Sequence, residues 1–209
     1  MINSPEDARL ESTLNLRIGE IKSALAKLRR PLSEFSTKFP NFTLLDLCTG
    51  FAPGVIALWE LGIRPPNIIL NDTFAPPNNI LSALTGKSSY QPPTPEQLEA
   101  FLSSKRVISN ITIYKGGFDD VLAPYLQNQE GPTLVTSFAF PPEAGNPLSI
   151  PSYIKKSLTR NPRRPLRAII TLPRDFEDQQ RQIERFLKEV FPSMETFLYS
   201  EYLGLDCHN

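Results

Sequence analysis

Histidine occurs once in these 209 residues, cysteine twice, and the charges cancel. The single His208 is expected in a C-terminal tail, so a Ser-His or Cys-His nucleophile would have only a tail residue as its base, which argues against that chemistry. Cys48 and Cys207 stand far apart and fit no metal-site spacing, so no metal is expected and the thiols read as reduced. Lys and Arg together number 22, as do Asp and Glu, so global charge points to no polyanionic partner. A signal-peptide pattern and an apolar run long enough to span a bilayer are also missing, and the expectation is a cytoplasmic protein.

The apolar share of 40% and charged share of 21% suit a chain that buries a core, and its length suits one α/β domain. Proline is plentiful at 21 residues. Its pairs at Pro65-Pro66, Pro76-Pro77, Pro92-Pro93 and Pro141-Pro142 fall between periodic segments and read as loop punctuation. In DARLESTLNLRIGEIKSALAKLRR (7–30), Leu10, Leu14, Ile18, Ile21, Leu25 and Leu28 recur at spacings of three and four, which predicts an amphipathic helix. That helix marks an N-terminal segment, residues 1–35, packing on a domain of residues 36–209.

Beyond the helix, LLDL (44–47), NIIL (67–70), ITIY (111–114), TLVTSF (133–138) and RAIITL (167–172) are short and apolar, as strands buried on both faces are. Helical sequences separate them: GVIALWELG, PNNILSALTG with TPEQLEAFLSSK, DDVLAPYLQ, SIPSYIKKSLTR and DFEDQQRQIERFLKEVF. The alternation predicts an α/β fold, a doubly wound, mostly parallel sheet with helices on both faces. METFLYSEYLGL (194–205) is expected to close it as one antiparallel edge strand.

Ligands in such sheets bind outside the carboxyl ends of the strands. The first of those ends lies in LLDLCTGFAPGVIALWELG (44–62), and its order of elements and residues resembles the class I S-adenosylmethionine-dependent methyltransferases. That family places three small residues, usually glycine, at alternate positions after an acidic one. The register falls here on Asp46, Cys48, Gly50 and Ala52, with cysteine and alanine in place of two glycines. The resemblance implies that the methionine part of the cofactor lies against this backbone, where a bulky Cβ substituent would block it. The following helix would offer its N-terminus to the cofactor's carboxylate.

IILNDTF ends in Asp72, which the resemblance assigns to the ribose hydroxyls, with Thr73 or Phe74 against the adenine. The competing reading of Asp72 is a helix N-cap before PPNNI. In ITIYKGGFDDVL, Gly117 stands where an adenine-binding aspartate is expected and Phe118 where a backbone N–H meets the ring. Either Asp119 takes that role after a small shift, or Asp119 and Asp120 cap the next helix. Another doubly wound nucleotide binder, such as a nicotinamide enzyme, is the runner-up, although CTGFAPG is a loose turn for a pyrophosphate.

The resemblance places the methyl acceptor at SFAFPPEAGNP (137–147), which starts with Ser137 at the strand end, itself an expected cofactor contact. Methyltransferases acting on exocyclic amino groups of nucleobases or on glutamine carry an Asn or Asp, two prolines and an aromatic there. This chain has Phe140-Pro141-Pro142-Glu143. Phe140 cannot accept a hydrogen bond from an amine, whereas Glu143 offers a carboxylate to orient an amine or take a proton from a hydroxyl. The plainer reading of Glu143 is a solvated loop residue.

Downstream, Lys155, Lys156, Arg160, Arg163, Arg164 and Arg167 fall within thirteen residues. Arg163 and Arg164 thus become candidate substrate contacts, and RNA or DNA a candidate acceptor. The alternative is a solvated helix face balanced by the acidic residues of DFEDQQRQIE, and Tyr90, Tyr114 and Tyr153 suit a small-molecule pocket equally well. Three functions therefore stand open: methyl transfer to nucleic acid, methyl transfer to a small molecule, and a methyltransferase-fold binding protein without catalysis. The oligomeric state is left open as well.

Overall fold

The computed structural model describes residues 5–72, 93–128, 131–138, 149–173, 181–182, 184–185, 188–189, 191, 193–199 and 202–208. It starts with two helices, α1 (Pro5–Ala26) and α2 (Arg29–Lys38), where the sequence predicts one. Pro31 accounts for the break. It has no N–H, and in a continuous helix its ring would collide with the carbonyl one turn back, whereas the first turn of a new helix tolerates it. Leu14, Ile18, Ile21, Leu25 and Leu28 are nevertheless all buried, as the periodicity requires.

Alternating elements follow: β1 (Thr43–Leu47), α3 (Pro53–Glu60), β2 (Asn67–Asp72), α4 (Pro95–Ser104), β3 (Asn110–Lys115), α5 (Phe118–Asn128), β4 (Thr133–Ser137), α6 (Ser149–Arg160) and β5 (Leu166–Pro173). Helix α4 starts with Pro95 behind a capping box, in which Thr94 and Gln97 each accept the other's backbone N–H. PNNILSALTG lies outside the described residues. DFEDQQRQIERFLKEVF is described only in part, helical at 181–182, 184–185 and 188–189.

The C-terminal apolar segment closes the sheet with an antiparallel edge, as the sequence predicts, but builds it from two strands instead of one. It forms two strands, β6 (Ser193–Tyr199) and β7 (Tyr202–His208), paired antiparallel with Tyr199 opposite Tyr202. The sheet order is β3-β2-β1-β4-β5-β7-β6, so β7 is inserted beside β5 and β6 takes the edge. His208 is therefore no tail residue; it lies in β7 opposite Arg167 on one side and Ser193 on the other.

Strands β1 to β5 pair in parallel, and alternate side chains feed two cores. Leu44, Ile68, Leu70, Leu134 and Ile169 face one side, where α1, α2, α3 and α4 pack. Leu45, Leu47, Val135, Ala168, Ile170 and Leu205 face the other, against α5 and α6. Even the edge strand β3 obeys the alternation, with Ile111 and Ile113 leaning on the first core while Thr112 and Tyr114 are exposed. Among the described residues, no helix is long and apolar enough to cross a membrane.

Chain order reverses between β1 and β4, which are neighbours in the sheet with their next partners on opposite sides. A crevice outside the carboxyl ends of β1 and β4 is where such a sheet binds ligands.

Candidate functional site

Three residues in the turn leaving β1 have left-handed backbone: Cys48 (φ 55°), Gly50 (φ 50°) and Ala52 (φ 52°). These are the alternate positions singled out in the sequence. Each non-glycine residue held there costs about 1–2 kcal/mol, least for a small side chain, and such strain persists only where surrounding structure enforces it. The enforcement is visible. Thr49 N donates to the Asn71 carbonyl (3.0 Å), Ala52 N to the Thr49 carbonyl (2.7 Å), and Gly50 N to Asp72 Oδ2 (2.7 Å).

Asp46 lies beneath the turn and is 3% exposed. Its two oxygens accept hydroxyl hydrogen bonds at 2.5 Å each, from Thr49 Oγ1 in the turn and from Thr136 Oγ1 on β4. Asp46 and Thr136 are register partners on one face of a parallel pair, which brings the two side chains together. Burial pushes Asp46 up to about 6 from its ordinary 3.8; the two hydroxyls oppose that shift and the nearby Asp72 carboxylate adds to it. Burial, reinforced by Asp72 and Asp46, likewise pushes the Cys48 thiol up to about 12. Cys48 is thus protonated at neutral pH and serves the turn as a small side chain.

Strand β2 ends in two residues with separate tasks. Asn71 is buried, and its Nδ2 donates to the Gly116 carbonyl (3.1 Å) and the Tyr114 carbonyl (3.4 Å), stitching the ends of β2 and β3 together. Asp72 is half-buried and turned to the glycine of the turn. At the end of β4, Ser137 is fully buried, and its Oγ has no hydrogen-bond partner among the described residues. Phe138 follows, its ring lying where a Cβ on Gly54 would stand only 2.3 Å from it. Ala52 gives the first turn of α3 no side-chain acceptor, and Phe51 turns away onto Phe101 of α4, 5.7 Å between ring centroids.

Asp46, Cys48, Gly50, Ala52, Asp72 and Ser137 are thus gathered at the carboxyl ends of β1, β2 and β4. Helix α5 starts at Phe118, which puts Asp119 and Asp120 in its first turn, where negative charge suits the helix dipole. Their side chains, and Thr73, Phe140, Pro141 and Glu143 entirely, lie outside the described residues.

Arg164 is a correction. It is 2% exposed, its Nη1 donates to the Leu126 carbonyl (2.9 Å) and Ser157 Oγ (3.0 Å), and its Nη2 donates to Thr133 Oγ1 (2.9 Å). The guanidinium ties α5, α6 and β4 together and cannot meet a phosphate. Arg167 is buried too, gripping Asp206 of β7 through Nε (2.9 Å) and Nη2. Arg163 is exposed but precedes β5, at the amino ends of the strands. The five residues of β4 put roughly 16 Å between that edge and the turn. The basic cluster therefore separates into structural and surface residues, and Lys155 pairs with Glu189 at 3.3 Å.

Sequence reasoning missed Thr49, Thr136 and Gly54. A signal for Thr136 existed, since a threonine inside an apolar strand buried on both faces must find a hydrogen-bond partner.

Sheet order, helix placement and the turn after β1 together define a class I methyltransferase fold, Rossmann-like with an antiparallel C-terminal hairpin. No protein-family model matches the sequence, and no curated protein matches it. Among solved structures, human methyltransferase-like protein 13 in complex with SAH is similar at a TM-score of 0.54 and 15% identity, over 90% of this chain and 80% of that one. The O-methyltransferase from Bacillus cereus in complex with SAH matches at 0.53 and 12%, over 95% and 91% of the two chains. The apo structure of CalS11, a TDP-rhamnose 3'-O-methyltransferase, matches at 0.51 and 13%, over 100% and 96%.

Proposed function

We propose that the protein is an S-adenosylmethionine-dependent methyltransferase. The observation that carries this reading is the turn itself: three small residues held left-handed at alternate positions, with the Asp72 carboxylate bonded to the central N–H. A cradle of that kind fits the methionine part of the cofactor, because residues 48, 50 and 52 present little side chain toward it. Gly54 and Val55 would offer first-turn N–H groups of α3 to its carboxylate. Asp72 would accept from the ribose hydroxyls, as a carboxylate with two acceptor atoms does. Phe118 and Asp119, at the start of α5, are assigned to the adenine, with Thr73 beside it. When bound, S-adenosylmethionine supplies an electrophilic methyl group on a sulfonium. The chain's part is then alignment, exclusion of water and handling of the acceptor's proton.

Ser137, whose buried Oγ has no hydrogen-bond partner among the described residues, is assigned to the cofactor, and Glu143 is the residue assigned to orient an acceptor amine or take a proton from an acceptor hydroxyl. With Arg164 and Arg167 buried and Arg163 at the far edge, these three arginines lend no support to a nucleic-acid acceptor.

Calorimetric titration with S-adenosylhomocysteine tests the reading. Wild type is expected to bind one equivalent, and Asp72→Ala to bind about tenfold more weakly or worse, a loss of at least ~1.4 kcal/mol. Absence of binding by folded wild type, or equal affinity in the variant, overturns it.

A further inference from the structure

The exit of β4 is tied to the turn after β1 from both sides. At Thr136 the hydroxyl donates to Asp46 Oδ1, and the other oxygen of the same carboxylate holds Thr49 inside the turn. A chain of two hydrogen bonds therefore runs from β4 through β1 to the segment that carries the left-handed residues, and all three side chains are buried. Two residues further on, the Phe138 ring occupies the space beside Gly54 in the first turn of α3; a Cβ there would lie 2.3 Å and 2.6 Å from ring carbons. Ser137, whose Oγ has no partner among the described residues, stands between Thr136 and Phe138 in the chain.

We infer that Thr136 and Gly54 are positioning residues that lock the exit of β4, as far as Phe138, to the left-handed turn that receives the cofactor. The inference deepens the methyltransferase reading and rests on it for the word cofactor; the lock itself rests on geometry alone. Threonine is required at position 136 because the donor must be a short side chain inside a doubly buried strand. Valine keeps the shape and removes the donor, leaving a buried carboxylate oxygen without it. Glycine is required at 54 because the ring fills the place of any Cβ.

The physical consequence is local. With Thr136 silent, Asp46 loses one of its two ties and the turn loses its link to β4, while the strand ladders around it are untouched. The turn amides of Thr49, Gly50 and Ala52 are all hydrogen-bonded, so their protection reports the lock directly.

Amide hydrogen exchange on the ligand-free protein, followed by calorimetry with S-adenosylhomocysteine, tests this on wild type, Thr136→Val, Thr136→Ser and Gly54→Ala. In Thr136→Val the amides of residues 49, 50 and 52 are expected to exchange about tenfold faster than in wild type. Those of Leu44 and Leu45 in β1 keep their rates, and the ligand binds about tenfold more weakly. Thr136→Ser restores both. Gly54→Ala, with a different substitution in a different element, is expected to loosen the same amides. A merely structural role would lower the melting temperature and speed all these amides alike, and that result overturns the inference, as does unchanged turn exchange. Should wild type fail to bind the ligand while Thr136→Val still loosens the turn, the methyltransferase reading falls and the lock stands.

Discussion

Replacing Asp46 by asparagine should change how stability depends on pH, and the structure sets the size of the change. Burial raises the Asp46 carboxyl from 3.8 to about 6. A raised folded-state pKa means that the folded protein holds a proton which the unfolded chain has already released between those values. The stability that Asp46 contributes is therefore fully present below pH 3.8 and is lost as pH rises through about 6. That interval corresponds to roughly 3 kcal/mol, at about 1.4 kcal/mol per unit. Asparagine carries no charge at any of these values and lacks that term, although one threonine hydroxyl must turn round to accept from its amide. Urea unfolding at closely spaced pH values between 4 and 7.5 measures the difference between wild type and Asp46→Asn. Wild type is expected to lose about 2–3 kcal/mol relative to the variant across the window, with the steepest part near pH 5. Parallel curves would refute the reasoning, because they would mean that Asp46 ionises in the fold as readily as in the unfolded chain.

Arg164→Met should destabilise the fold by about 3 kcal/mol, since it leaves the Leu126 carbonyl and the Ser157 and Thr133 hydroxyls buried without their donor, and it should leave S-adenosylhomocysteine affinity unchanged. Chemical denaturation and calorimetry read the two effects separately. The thiol of Cys48, pushed up to about 12, should react with iodoacetamide at pH 8 on the order of a hundredfold slower in the folded protein than in urea, with rapid labelling of the native protein as the contrary result.

Strand and helix alternation was legible because strands buried on both faces must be short apolar runs, as β1, β2, β4 and β5 are, while β3 at the sheet edge keeps an apolar face toward the first core. The alternate register of Cys48, Gly50 and Ala52 was legible for a related reason: left-handed backbone selects small side chains, so the turn's geometry is written into residue size. The hairpin of β6 and β7 was not. Its midpoint reads Tyr199, Ser200, Glu201, Tyr202, without the glycine, proline or asparagine that marks most tight turns. Burial of Arg164 and Arg167 was hidden too, because charge along the chain does not reveal partners 31 to 39 residues away. Asp206 offered a hint, as an aspartate standing among Leu203, Leu205 and Cys207 in a buried strand needs a cation. The Thr136 to Asp46 bond joins residues 90 positions apart, and only the parallel pairing of β1 with β4 brings them together.

The turn after β1, with Asp72, is the proposed receiving site for S-adenosylmethionine or its product. A titration of isotopically labelled protein with S-adenosylhomocysteine, followed by amide NMR, tests it most directly. Saturable shifts at Gly50, Ala52 and Asp72, larger than those at Arg163 and Arg167 on the opposite edge of the sheet, are the predicted result. A spectrum that stays unchanged at millimolar ligand, or shifts confined to residues away from the turn, would contradict it.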